Sequence, residues 1–173
     1  ALALRGHLAE NRTTVGRAER VDSLANGQRV MIVDDDPVFR RATAAALDSV
    51  GFEVVEIARP TEAKRQAVAA DPDLILIDAV MPDLDGFELC RRMTEDVRLS
   101  NTPMLMITGL DDRESVARAF DCGASGFITK PVQYDVLGHQ IRFVIRANET
   151  AAALRRSEER LSTAQRMVGL GYW

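Results

Sequence analysis

The sequence predicts an α/β protein, a doubly wound five-stranded parallel sheet with five helices over its two faces. Three observations carry this. Five short, mostly apolar runs lie between Arg29 and Thr129, and several are near-continuous, as strands buried on both faces require. Helix-like segments alternate with them, and such alternation implies parallel strands joined by right-handed crossovers. Acidic and hydroxyl residues gather just past the carboxyl ends of the runs, where doubly wound sheets place their ligands.

Each element has its own local reason. "RVMIV" is the first strand, and it runs straight into Asp34, Asp35 and Asp36. Asp36 before Pro37 gives an N-cap followed by a favoured first helical residue. An alanine-rich helix then extends to Val50, with Gly51 as its stop. "FEVVEI" is the second strand and "PTEAKRQAVAA" the second helix. "DLILID" is the third strand, and "GFELCRRMTED" the third helix, with Phe87, Cys90 and Met93 on one side. "PMLMIT" is the fourth strand, and "DRESVARAFDCG" a helix closed by Gly123. "SGFIT" is the fifth strand, and "VQYDVLGHQIRFVIRANE" opens the last helix. Residues 1–28 are weakly patterned and read as an N-terminal extension or linker.

Composition narrows the function. Apolar residues make up 46% of the 173 and charged residues 28%, an ordinary globular profile. A net charge of −4 implies no general nucleic-acid surface, and no helix-turn-helix region or basic stripe follows the sheet. No apolar run approaches the roughly 20 residues that span a bilayer. The N-terminus has no signal-peptide pattern. Cys90 and Cys122 lack metal-type spacing and read as reduced thiols filling helix faces in a cytoplasmic protein. His7 and His139 stand in no context for phosphotransfer, and no Ser-His-Asp or zinc constellation is present.

The strand ends carry the chemistry. If strands one, three and four are central, with five beside four, one crevice receives Asp34, Asp35, Asp78, Thr108 and Lys130. Two charges about 4 Å apart repel by roughly 4 kcal/mol at an effective dielectric near 20. One lysine does not offset three aspartates. Carboxylate oxygens with open positions suit Mg²⁺, which also takes phosphate oxygens. A threonine hydroxyl and a compact lysine charge suit a phosphoryl group. The cluster therefore reads as a metal-assisted phosphoryl site with a carboxylate nucleophile. Asp36 reads as a cap, and Asp83 and Asp85 as loop and turn residues.

Four segments, "VMIVDDDP", "LILIDAVMPDLDGFELC", "PMLMITGL" and "GASGFITKPV", resemble the signature segments of response-regulator receiver domains, in order and over about residues 29–147. The resemblance implies a flavodoxin-like sheet of order 2-1-3-4-5. It implies that Asp78 accepts a phosphoryl group from a histidine kinase or phosphotransfer protein. Asp35 would ligate Mg²⁺ directly and Asp34 mainly through water, with Asp78 and the Val80 carbonyl completing the set. Thr108 and Lys130 would hold phosphoryl oxygens, and the Lys130–Pro131 bond would be cis. Thr108 and Phe127 would form the switch that alters the surface of helix four, strand five and helix five. Such a module is a switch, not a turnover enzyme. A Mg²⁺-dependent phosphatase on the same scaffold and a purely structural dimerisation module are the alternatives. Val80 and Leu110 stand near the acceptor where relatives often carry polar groups, and are expected to slow loss of the phosphoryl group.

The last helix is expected to run on to about Val168, since neither Gly nor Pro interrupts residues 139–168. Ala147, Leu154, Leu161 and Val168 recur every seven residues, with Ala151 and Ala164 between, a short heptad pattern that suggests a parallel homodimeric signalling helix, the alternative being an amphipathic helix packed on its own domain. "LRRSEERLSTAQRMVGLGYW" resembles the opening of many PAS sensory domains. Residues 148–173 are thus read as a signalling helix leading into a PAS domain, and the chain as a piece of a larger signalling protein.

Overall fold

The structure is a computed structural model, and it describes residues 27–109 and 113–169. The sheet consists of β1 (Arg29–Val33), β2 (Glu53–Ile57), β3 (Leu74–Asp78), β4 (Met104–Thr108) and β5 (Gly126–Thr129). The helices are α1 (Pro37–Ser49), α2 (Pro60–Ala70), α3 (Gly86–Thr94), α4 (Arg113–Asp121) and α5 (Tyr134–Gly169). All strand pairs are parallel, in the order β2-β1-β3-β4-β5. This is the flavodoxin-like arrangement the sequence predicts.

The near-continuous apolar strands are explained by burial on both faces. Val30 and Ile32 point into one core with Leu74, Leu76, Leu105 and Ile107, closed by Leu137, Ile141 and Ile145 of α5. Met31 and Val33 point into the other with Ile75, Ile77, Met104 and Met106, closed by Phe87, Leu89 and Met93 of α3. Alternation along each strand thus supplies two cores at once.

Several helix boundaries differ from the sequence reading, two of them with a visible cause. The third helix ends at Thr94 rather than at Asp96. Asp96 turns its carboxylate onto the Arg98 amide (3.1 Å) and guanidinium, an alternative to continued helix that Asp side chains readily offer. The fifth begins at Tyr134 rather than Val132, where the Gln133 carbonyl accepts from the Val136 and Leu137 amides.

The fifth helix is 36 residues long, about 54 Å at 1.5 Å per residue. Its first half lies on the sheet. Asn148 still ties it to the Asn101 carbonyl (2.6 Å). Beyond that point Leu154 and Leu161 are 60% and 63% exposed. Among the described residues no helix is long and apolar enough to cross a membrane.

Candidate functional site

The strand register brings the acids together. Val33 lies beside Ile77, so the next residue of each strand places Asp34 beside Asp78. Asp34 is fully buried and Asp78 is 5% exposed, while Asp35 is exposed. One carboxylate oxygen from each of Asp34, Asp35 and Asp78 lies within 4.8 Å of the others.

The β1–α1 turn is fixed by its own acids. Asp34 Oδ1 accepts from the Asp36 amide (2.8 Å). Asp36 in turn caps α1, accepting from the amides of Val38 (2.8 Å) and Phe39 (3.4 Å). Asp36 therefore spends its carboxylate on the helix, as a cap does. Arg40, one turn into α1, donates to the Asp34 carbonyl (2.7 Å) and pairs with Glu56 (3.4 Å). Its side chain is only 12% exposed, and it braces the acidic turn from beneath.

Asp78 ends β3, and the loop after it folds tightly back. Gly86 donates its amide to the Ala79 carbonyl (3.1 Å). A Cβ at Gly86 would stand 1.9 Å from the Asp78 carbonyl oxygen, so only glycine permits the approach. Val80, on this loop, is 66% exposed at the rim. At the end of β5, Lys130 Nζ lies 2.9 Å from Asp78 Oδ1. The Lys130 amide bonds the Thr108 carbonyl (2.8 Å), joining the ends of β4 and β5. Thr108 is 1% exposed. The Lys130–Pro131 bond is cis.

The electrostatics are those of an unbalanced cluster. Burial, then the charge of Asp78, pushes the Asp34 carboxyl up to about 6; the Asp36 amide and Lys130 only partly oppose this. Asp34 Oδ2 is buried and has no hydrogen-bond partner among the described residues. A buried carboxylate oxygen without a donor is costly. Three hard oxygen donors with one orphaned member fit a hard divalent cation such as Mg²⁺.

The structure thus gathers Asp34, Asp35, Asp78 and Lys130, with Thr108 at the adjacent strand end. Phe127 lies apart from the acids. It is half-buried on β5, edge to face with Phe120 of α4 at 6.3 Å and 89°. His139 is exposed on α5, and Cys90 and Cys122 are buried free thiols. Leu110 lies outside the described residues. Sequence reasoning missed Arg40, and also Phe39, whose ring faces Lys130, with Tyr134 behind that ring. It also missed Arg118, which pairs with Asp85 and stacks on Phe87 (4.2 Å), tying α4 to the base of the acceptor loop. Only the Asp36 cap hinted at any of these, since it fixes where residues 39 and 40 point.

Comparison with known proteins agrees with this geometry. The response regulator receiver domain family matches residues 30–142. The transcriptional regulator RpaA of Synechocystis is 31% identical over 121 residues, covering 70% of this chain and 50% of that protein. The response regulator PleD of Caulobacter vibrioides is 32% identical over 150 residues, covering 83% of this chain and 33% of that protein. The chain therefore spans half or less of the length of these two relatives. The solved structure of the Vibrio cholerae chemotaxis protein CheY4 aligns with a TM-score of 0.65 and 30% identity, covering 68% of this chain and 98% of that one.

Proposed function

Because the chain belongs to the response regulator receiver domain family, we propose that it is a phosphorylation-controlled switch with Asp78 as phosphoacceptor. One observation carries the reading: three carboxylates within 4.8 Å, with Lys130 paired to Asp78 at 2.9 Å. Asp35, Asp34, Asp78 and the Val80 carbonyl would hold Mg²⁺, which neutralises the acids and draws charge from phosphoryl oxygens.

An Asp78 carboxylate oxygen attacks the phosphorus of a phosphohistidine on a histidine kinase or phosphotransfer protein. The new O–P bond forms as the P–N bond breaks, and the electron pair leaves with the imidazole. Lys130 moves from the Asp78 carboxylate to a phosphoryl oxygen. Thr108 donates its hydroxyl to another. That inward pull frees space for the Phe127 ring, which in this state rests against Phe120. Repacking of α4, β5 and α5 then changes the surface read by an output domain. The chain's product is a conformation rather than a turned-over substrate.

The domain reading follows. Residues 29–147 form the receiver, and 1–28 an extension before it. Residues 148–173 carry the signal into a PAS domain of a longer cytoplasmic protein. The heptad positions Leu154 and Leu161, exposed on a helix that has left its own domain, favour a homodimer along that helix.

Incubation with acetyl phosphate and Mg²⁺, followed by intact-mass analysis, tests the central claim. One added phosphoryl group, absent in Asp78→Asn, is the expected result. No adduct, or sustained turnover of a phosphomonoester, would reject it.

A further inference from the structure

Lys130 Nζ lies between a carboxylate and an aromatic ring. Asp78 Oδ1 lies 2.9 Å away on one side. The face of the Phe39 ring lies 4.4 Å away on the other. Phe39 sits in the first turn of α1, and its amide is held by the capping Asp36 carboxylate. The turn that delivers Asp34 and Asp35 therefore also aims this ring. Tyr134, the first residue of α5, backs the ring at 6.4 Å between centroids and a 44° tilt. Behind them Phe39 packs on the core beneath α1 and α5.

An aromatic face attracts a cation without offering it a full counter-charge. That suits a lysine with two tasks. It must stay beside Asp78 before transfer, yet release that carboxylate to reach a phosphoryl oxygen. A second carboxylate beside Lys130 would compete for it and add to the acidic excess. A ring holds the ammonium in line while leaving its N–H donors free to turn.

We propose that Phe39, backed by Tyr134, is a positioning residue for Lys130 in phosphoryl uptake by Asp78. This deepens the reading of the same site and rests on it. The Phe39 ring carries no group that ligates a metal or takes up phosphorus, and it acts through the lysine alone. Removing the ring face leaves the ammonium mobile, so transfer slows while the metal ligands stay intact.

The experiment uses the full chain with acetyl phosphate and Mg²⁺. Phe39→Leu is expected to lower the phosphorylation rate roughly three- to tenfold, the range of a partly desolvated cation–π contact. Phe39→Tyr should restore most of it. Mg²⁺ affinity, read by calorimetry, should change by less than about twofold, because no carboxylate is altered. The Lys130 ε-methylene protons should be ring-current shifted upfield in the wild type and return to ordinary positions in Phe39→Leu. Wild-type rates in Phe39→Leu, or unshifted Lys130 protons in the wild type, would overturn the assignment. If Phe39→Leu fails to fold, Phe39→Met keeps the packing volume and answers the same question. Failure of the wild type to take up phosphorus would instead reject the parent reading.

Discussion

The two ends of the sheet treat charge in opposite ways. At the amino end, Arg29 opens β1 and its charge is matched. Its guanidinium pairs with Glu53 (2.8 Å) and donates to the Ala70 carbonyl, while its amide donates to Asp73 (2.7 Å). At the carboxyl end, among the described residues, Asp34, Asp35 and Asp78 face one paired lysine, and a buried oxygen of Asp34 has no partner. The first end is charge used as structure. The second is charge held in excess, which folding alone does not explain. A fold keeps such excess where a ligand or a reaction relieves it.

The sharpest test of this contrast is Asp78→Asn. Phosphoryl uptake should fall to background in an intact-mass assay, whereas Arg29→Ala should leave it unchanged. Uptake that survives in Asp78→Asn would move the chemistry elsewhere. Next in size is the lifetime of the phosphorylated state. The apolar Val80 at the rim offers a hydrolytic water no hydrogen bond, so Val80→Asn should shorten that lifetime severalfold in a phosphoryl-release assay. An unchanged lifetime would remove Val80 from the account.

The excess charge should also be visible in stability. The Asp34 carboxyl rises from 3.8 to about 6 on folding. Between about pH 4 and 6 the folded chain therefore holds a proton that the unfolded chain has lost, and stability falls as pH rises through that window. Without divalent cations, Asp34→Asn should stabilise the protein by about 1–2 kcal/mol at pH 7, discounted for solvent around the pocket. The difference should vanish below about pH 4. Urea titrations at several pH values measure it. Mg²⁺ should stabilise the wild type above pH 6 and act much less on the variant. Equal stability of the two chains at pH 7 would mean that the acids are already balanced. The smallest effect belongs to the matched end. Arg29→Ala should cost about 1 kcal/mol or less, since its ion pair with Glu53 is largely exposed.

Much of this was legible in the chain. Asp34, Asp35 and Asp78 announced themselves because three acids at the tips of buried strands have no structural excuse. The Asp36 cap was readable because Asp-Pro at a helix start is a local rule. Lys130 and Thr108 became meaningful only as part of the set. Phe39 and Arg40 were legible only as residues that the Asp36 cap orients, and Tyr134 was not legible at all. A phenylalanine in the first turn of a helix looks like core, and nothing near residue 39 marks residue 130 as its neighbour. Arg118 was hidden likewise, since its partner Asp85 is 33 residues away.

The sequence by itself determined the order of elements, the doubly buried strands and the acidic crevice at their ends. These depend on patterns of two to four residues, and short-range rules act at that distance. Only the tertiary structure decided which side chains flank the lysine, which carboxylate oxygen is left without a donor, and where the last helix leaves its domain. Those outcomes depend on contacts between segments about 40 to 95 residues apart, which are set by packing across the sheet rather than by any local preference.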